Sequence, residues 1–182
     1  GAEILGGAFS PDSRLLATVS VSDVVLVWEV STGEQVAALG GHNRGASAVA
    51  FSPDGLRLAS SGRDGVIRLW DTATWRQTAT LAFRGLLDTL EFAPDSRRLA
   101  YSVVVGNEVG LWDIAEDRLE QSWKGPFGVT SVLRFSPTGD RLAAGSDDGV
   151  VRVWPTGCAT PWTPWHAHAA EARALAFHPQ RN

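Results

Sequence analysis

Two aromatic markers recur along this chain with a period near 42 residues, and that period restricts the fold more than any other feature. The first marker is a phenylalanine two residues ahead of a proline or its turn: Phe9-Ser10-Pro11-Asp12, Phe51-Ser52-Pro53-Asp54, Phe92-Ala93-Pro94-Asp95, Phe135-Ser136-Pro137-Thr138 and Phe177-His178-Pro179-Gln180. The second is Trp28, Trp70, Trp112 and Trp154, each 42 residues after the one before. Coincident steps on two markers exclude chance composition. A repeat of this length is one supersecondary unit that buries its apolar faces only by stacking on neighbouring copies.

The second repeat shows what each unit forms. Residues 46–51 are small and apolar and end at Ser52-Pro53-Asp54-Gly55, where proline presets φ and glycine accepts positive φ, so the segment predicts a strand and a tight turn. Leu56-Arg57-Leu58-Ala59-Ser60 alternates apolar and polar, as a half-buried strand does. Asp64-Gly65 is a hairpin signal, and residues 66–70 are β-branched and aromatic. Thr72-Ala73-Thr74 turns the chain into a fourth, more polar strand over 75–81. No segment keeps a helical period. The expected fold class is all-β, a β-propeller of four-stranded antiparallel blades. Four complete blades are expected over residues 1–168, and one extra inner strand, at about 171–177, opens an incomplete fifth blade over 169–182. The chain has no methionine, not even at its first position, so the expectation is a piece of a longer propeller.

Finer motifs point the same way. Gly41-His42 opens the second unit and Trp70-Asp71 ends its third strand; Trp112-Asp113 repeats that ending, and Trp28-Glu29 and Trp154-Pro155 are altered forms of it. On these residues the whole chain resembles the WD-repeat β-propeller family. The resemblance implies a buried hydrogen-bond relay through His42, Ser60, Asp64 and Trp70, which suits the side chains: a buried indole N–H is a donor only and needs an acceptor. The other units depart from that pattern. The first keeps Thr18 and Trp28 but has Ser22 where the aspartate belongs. The third has Phe83 at the histidine position, and the fourth has Pro126 and Ala144 at the histidine and serine positions. Rings of seven blades are usual in the family. Four blades and a strand therefore read as part of a larger ring, with a homodimer closing an eight-bladed ring as the rival.

The resemblance also implies a non-catalytic scaffold or sensor that binds protein or peptide segments. The binding face carries the loops entering each first strand and the turns between second and third strands. On this chain that face comprises Asn43, Arg44, Arg63, Arg84, Asn107, Phe127, Asp147 and Glu171. The alternative is a small-ligand or enzymatic propeller with its site on the inner strands. Those strands are mostly small or apolar, and Glu91 and Arg134 stand out, each just before its phenylalanine.

Other constellations are weaker. Ser60, His42 and Asp64 have the composition of a hydrolase triad, but nothing around Ser60 supplies a nucleophile's turn or an oxyanion hole. Cys158, His166, His168 and His178 crowd the end of the chain without zinc-site spacing, and Asp140, Asp147 and Asp148 lack the spaced oxygen series of a calcium site, so neither a metal nor a cofactor is expected. Trp75, Trp123, Trp162 and Trp165 fall in outer strands, where packing between blades is the expected role. A net charge of −4 without a basic block argues against nucleic acid. No apolar run approaches the roughly 20 residues of a membrane span, and a single cysteine makes no intramolecular disulfide, so a cytoplasmic location is expected.

Overall fold

The computed structural model describes residues 3–124, 128–157, 165–166 (backbone only) and 171–178. Among these residues every regular element is a strand, and no helix is long and apolar enough to cross a membrane. The strands form four antiparallel sheets of four, each in chain order. Blade 1 is β1 (Ile4–Phe9), β2 (Leu15–Ser20), β3 (Val25–Glu29) and β4 (Gln35–Leu39). Blade 2 is β5 (Ala46–Phe51), β6 (Arg57–Gly62), β7 (Val66–Asp71) and β8 (Gln77–Ala82). Blade 3 is β9 (Leu87–Phe92), β10 (Arg98–Val103), β11 (Glu108–Asp113) and β12 (Arg118–Lys124). Blade 4 is β13 (Thr130–Phe135), β14 (Arg141–Ser146), β15 (Val150–Pro155) and β16 (Trp165–His166). This is the all-β, four-stranded blade architecture that the repeat predicts. The chain divides into two compact units, Gly1–Leu90 and Glu91–Asn182, with the boundary inside β9.

The turn after each phenylalanine is a repeated local device. In blade 2 the Ser52 hydroxyl donates to Asp54 and accepts the Arg57 N–H at 2.9 Å, while Asp54 accepts the Leu56 N–H at 3.0 Å. Ser10 and Asp12 make the same bonds in blade 1, and in blade 4 Asp140 replaces the aspartate two places earlier. The fourth residue after each phenylalanine has positive φ: Ser13 at 61°, Gly55 at 73°, Ser96 at 58° and Gly139 at 72°. Two serines thus hold a left-handed conformation that glycine adopts without strain.

The cores lie between successive blades of each unit. In the first, Ala17, Val19, Val25, Val27 and Leu39 of blade 1 pack against Ala46, Val49, Leu58 and Trp70 of blade 2. Trp75, expected in a strand, sits in the turn before β8 at φ 57°, where Gly33 and Asp117 stand in blades 1 and 3, and packs onto this core. In the second unit, Ala100, Val109 and Leu111 meet Leu133, Phe135, Leu142 and Trp154, and the Trp123 and Trp154 rings stack with centroids 5.1 Å apart.

Residues 171–178 form no ladder, although a strand is predicted there; no second strand of their own blade lies beside them among the described residues. They lie on blade 4 instead. Ala172 is buried with Ala143, Val151 and Val153, and Leu175 and Phe177 pack beside it. The Ala172 N–H donates to Ser146 O at 3.0 Å, much as the Ala46 N–H donates to Ser22 O at 3.0 Å where blade 2 follows blade 1.

Candidate functional site

One continuous hydrogen-bonded chain runs through blade 2. The Trp70 indole N–H donates to Ser60 Oγ at 3.0 Å, Ser60 Oγ lies 2.9 Å from His42 Nε2, and His42 Nδ1 lies 3.2 Å from both Asp64 carboxylate oxygens. The proton positions follow from the ends. An indole only donates and a carboxylate only accepts, so the Ser60 hydrogen goes to Nε2 and Nδ1 carries the imidazole proton. Asp64 also accepts the Val66 N–H at 3.2 Å. Burial holds the His42 imidazole below its ordinary value, with Asp64 pulling the other way. Gly62 makes room for the chain: a Cβ there would fall against His42 Nδ1 and Asp64 Oδ1. Ser60 is 0% exposed, so its hydroxyl reaches no substrate. The chain ties the loop before β5 and the turn after β6 to the third strand.

The other blades fill the same positions differently. In blade 1 the Trp28 N–H donates to Thr18 Oγ1 at 2.9 Å, while Asp23 turns to the next blade and accepts the Gly45 N–H at 2.7 Å. In blade 3 the hydroxyl position belongs to Tyr101, whose buried ring covers Gly110 on the next strand, directly across in the register. In blade 4 Asp148 pairs with Arg152 at 2.8 Å, and that hydrogen bond holds its carboxyl down at about 2. Arg152 occupies the place of Arg68, which in blade 2 donates to Gly41 O at 2.6 Å and stays 3.9 Å from Asp64. Pro126 and His168 lie outside the described residues, as does Cys158.

The residues predicted for the binding face divide between the two units. In the first unit Asn43, Arg44, Arg63 and Arg84 are all exposed. In the second, Asp147 is exposed, and Glu171 accepts from Ser131 Oγ at 2.7 Å and from Arg173 at 2.7 Å, which hold its carboxyl below the usual range. Asn107 has a backbone role: at φ 48° it takes the left-handed turn position that Gly65 and Gly149 fill at 76°. Phe127 lies outside the described residues.

Sequence reasoning missed a polar tie inside the second unit. Glu91 accepts from Arg134 at 2.6 Å and from the Phe135 N–H at 3.0 Å, so both of its oxygens are engaged where β9 meets β13. Burial raises its pKa, and those two bonds oppose the rise. Both residues precede the marker phenylalanine of their blades, which is the signal that pairs them.

Comparison with known proteins agrees with this architecture. The sequence model described as "WD domain, G-beta repeat" matches residues 33–71 and 118–155, the two stretches that end in Trp70-Asp71 and Trp154-Pro155. Over these two stretches the chain is similar to the repeat unit of the WD-repeat family. It is 39% identical over 61 residues to the serine-threonine kinase receptor-associated protein of Gallus gallus, covering 29% of this chain and 17% of that protein. It is 31% identical over 99 residues to the chromatin assembly factor 1 subunit FAS2 homolog of Oryza sativa subsp. japonica, covering 50% and 19%. It is 34% identical over 79 residues to the ribosome biogenesis protein BOP1 homolog of Chlamydomonas reinhardtii, covering 43% and 10%. The matches thus span less than a fifth of the length of each of these relatives.

Proposed function

We propose that this chain is a non-catalytic protein-interaction scaffold or sensor module, acting in the cytoplasm, whose blades hold a peptide or protein segment on the loop face. The observation that carries this reading is the contrast between a buried frame and an exposed rim. The hydroxyl, imidazole and carboxylate of blade 2 are consumed in a closed hydrogen-bonded chain, while Asn43, Arg44 and Arg63 project from the loops that this chain pins, and Arg84 from the neighbouring loop after β8. Rigid loops presenting free side chains suit recognition. The relatives' names, a receptor-associated protein and an assembly-factor subunit, fit a binding role. Two of the polar residues open to the inner-strand alternative, Glu91 and Arg134, bind each other. The test is a photo-crosslinking residue placed at position 63 or at position 54, which lies at the opposite end of β6. Capture of a polypeptide from position 63 alone is the expected result; equal capture from position 54 overturns the face assignment.

We also propose that another blade, from the remainder of a longer propeller chain, covers the outer face of blade 1. Phe9 is 59% exposed, whereas the corresponding Phe92 and Phe135 are 5% and 7% exposed. A stable particle at twice the 19.4 kDa chain mass would instead favour a second copy.

A further inference from the structure

Three exposed arginines of the first unit stand on backbone segments that bond directly to one another. The Arg63 N–H donates to Gly45 O at 3.0 Å, which places the turn after β6 beside Arg44. Two residues on, Gly65 O accepts the Phe83 N–H at 2.8 Å, which places the same turn beside Arg84. Glycines permit this closeness: a Cβ on Gly65 would lie 2.7 Å from Phe83 O and 2.8 Å from Gly85 O, and Gly45, Gly65 and Gly85 all have positive φ. The side chains of Arg44, Arg63 and Arg84 make no hydrogen bond or ion pair among the described residues, unlike those of Arg68, Arg97, Arg98, Arg134 and Arg152.

The local charge opposes that of the chain. Asp64 is the buried partner of His42, so Asp23 is the one exposed carboxylate in these loops, and the Gly45 N–H occupies one of its oxygens. Three arginines therefore give a local positive surplus on a chain of net charge −4. Val21, 51% exposed beside Gly45, and Leu86, 38% exposed beyond Arg84, add apolar surface at the two ends of the row.

We infer that this row binds an acidic peptide segment in extended conformation, with Asp or Glu at alternate positions and an apolar residue at either end. The inference rests on the loop-face reading above and adds the chemistry of the partner. Bonded neighbouring segments lie about 5 Å apart, and alternate side chains of an extended peptide recur at about 6.6 Å, a spacing that long guanidinium side chains can match. Arginine binds carboxylates through paired N–H donors, and complementary charge fixes register and steers encounter. Nucleic acid is the poorer fit: three cations fall short of the roughly 6–10 phosphate contacts of a typical binder, and the rest of the chain repels a polyanion.

The test is selection of random 12-residue peptides on the full chain and on its R44S/R63S/R84S variant, followed by fluorescence anisotropy with the enriched peptides, their Asn/Gln counterparts and a single-stranded oligonucleotide. All three substitutions lie on exposed side chains, and circular dichroism and urea midpoints monitor the fold. The expected result is enrichment of alternating acidic residues on the wild type. Affinity should fall about tenfold or more in the triple variant and in the Asn/Gln peptides, and should weaken as salt rises. Enriched peptides no more acidic than the starting library overturn the inference, as does equal affinity for the Asn/Gln forms or tighter binding of the oligonucleotide. Neutral peptides that still need Arg63 or Asn43 would overturn the acidic specificity while leaving the loop-face reading standing.

Discussion

Ser60→Ala isolates what the buried chain of blade 2 contributes. Ser60 and Trp70 are 0% and 4% exposed, so removing the hydroxyl leaves the indole N–H without an acceptor and His42 Nε2 without a donor, with no water to replace either. Each unsatisfied buried group costs about 1–3 kcal/mol, and loss of the hydroxyl's own desolvation offsets part of that, so the net cost is about 2–4 kcal/mol. Thr18→Ala is the control. It removes the corresponding acceptor of Trp28, but both residues are half-buried and no histidine continues the chain, so the cost is about 0.5–1.5 kcal/mol. Both positions lie in the first compact unit and are read in the same transition. In urea, followed by tryptophan fluorescence with a slope near 2 kcal/mol/M, Ser60→Ala should lower the midpoint by about 1–2 M and Thr18→Ala by less than about 0.75 M. A double-mutant cycle with His42→Ala should show coupling of about 0.5–3 kcal/mol. Equal costs for the two single variants, or additivity in the cycle, would refute the claim that the relay acts as one buried network.

The pH dependence follows from His42. Its folded pKa lies below the ordinary 6.5 because of burial, so its stabilising contribution is full above that value and is lost as the pH falls toward the folded pKa. Urea midpoints should drop between pH 7.5 and 5.5, and an equal drop in His42→Gln would refute the assignment. Gly62→Ala places a methyl group against His42 and Asp64 and should cost about 1–3 kcal/mol, read by the same titration; a cost near zero would mean that the relay yields freely. Phe135→Ala should cost about 3–5 kcal/mol and Phe9→Ala under about 1 kcal/mol in the isolated chain, given their exposures of 7% and 59%; similar melting-temperature losses for both would show that Phe9 is covered in solution.

The repeat was legible in the sequence because its markers are framework residues. The phenylalanine precedes a turn whose geometry needs proline and a left-handed fourth residue, and the tryptophan closes the third strand of every blade. The grouping of His42, Ser60, Asp64 and Trp70 was legible by resemblance. What escaped depends on register. Nothing in the sequence places Tyr101 opposite Gly110, or Arg152 within reach of Asp148, until the β10–β11 and β14–β15 pairings are known. Glu91 and Arg134 were noticed as exceptions among apolar inner strands, but their bond spans two blades and 43 residues. The positive φ of Asn107 is a turn requirement that a one-dimensional reading gives to glycine first. The segment 171–178 carries the right pattern for a strand, but a strand also needs a partner, and pattern alone does not provide one.

The hydroxyl position shows how one blade frame tolerates four solutions. Nine residues after the marker phenylalanine stand Thr18, Ser60, Tyr101 and Ala144, and the residues directly opposite on the third strand are Leu26, Arg68, Gly110 and Arg152. A large ring faces a glycine, and a methyl group faces a guanidinium that reaches past it to Asp148. Where the serine is kept, the opposite arginine turns to Gly41 O and leaves Asp64 to the histidine. In blade 3 a ring thus fills the space over a glycine, and in blade 4 Asp148 keeps a cationic partner without the histidine. Selection on packing explains the substitutions without any change of fold. Exposed side chains such as those of Arg44, Arg63 and Arg84 are under no such constraint from an opposite neighbour, and a surface free of packing demands is where a partner can act on the sequence.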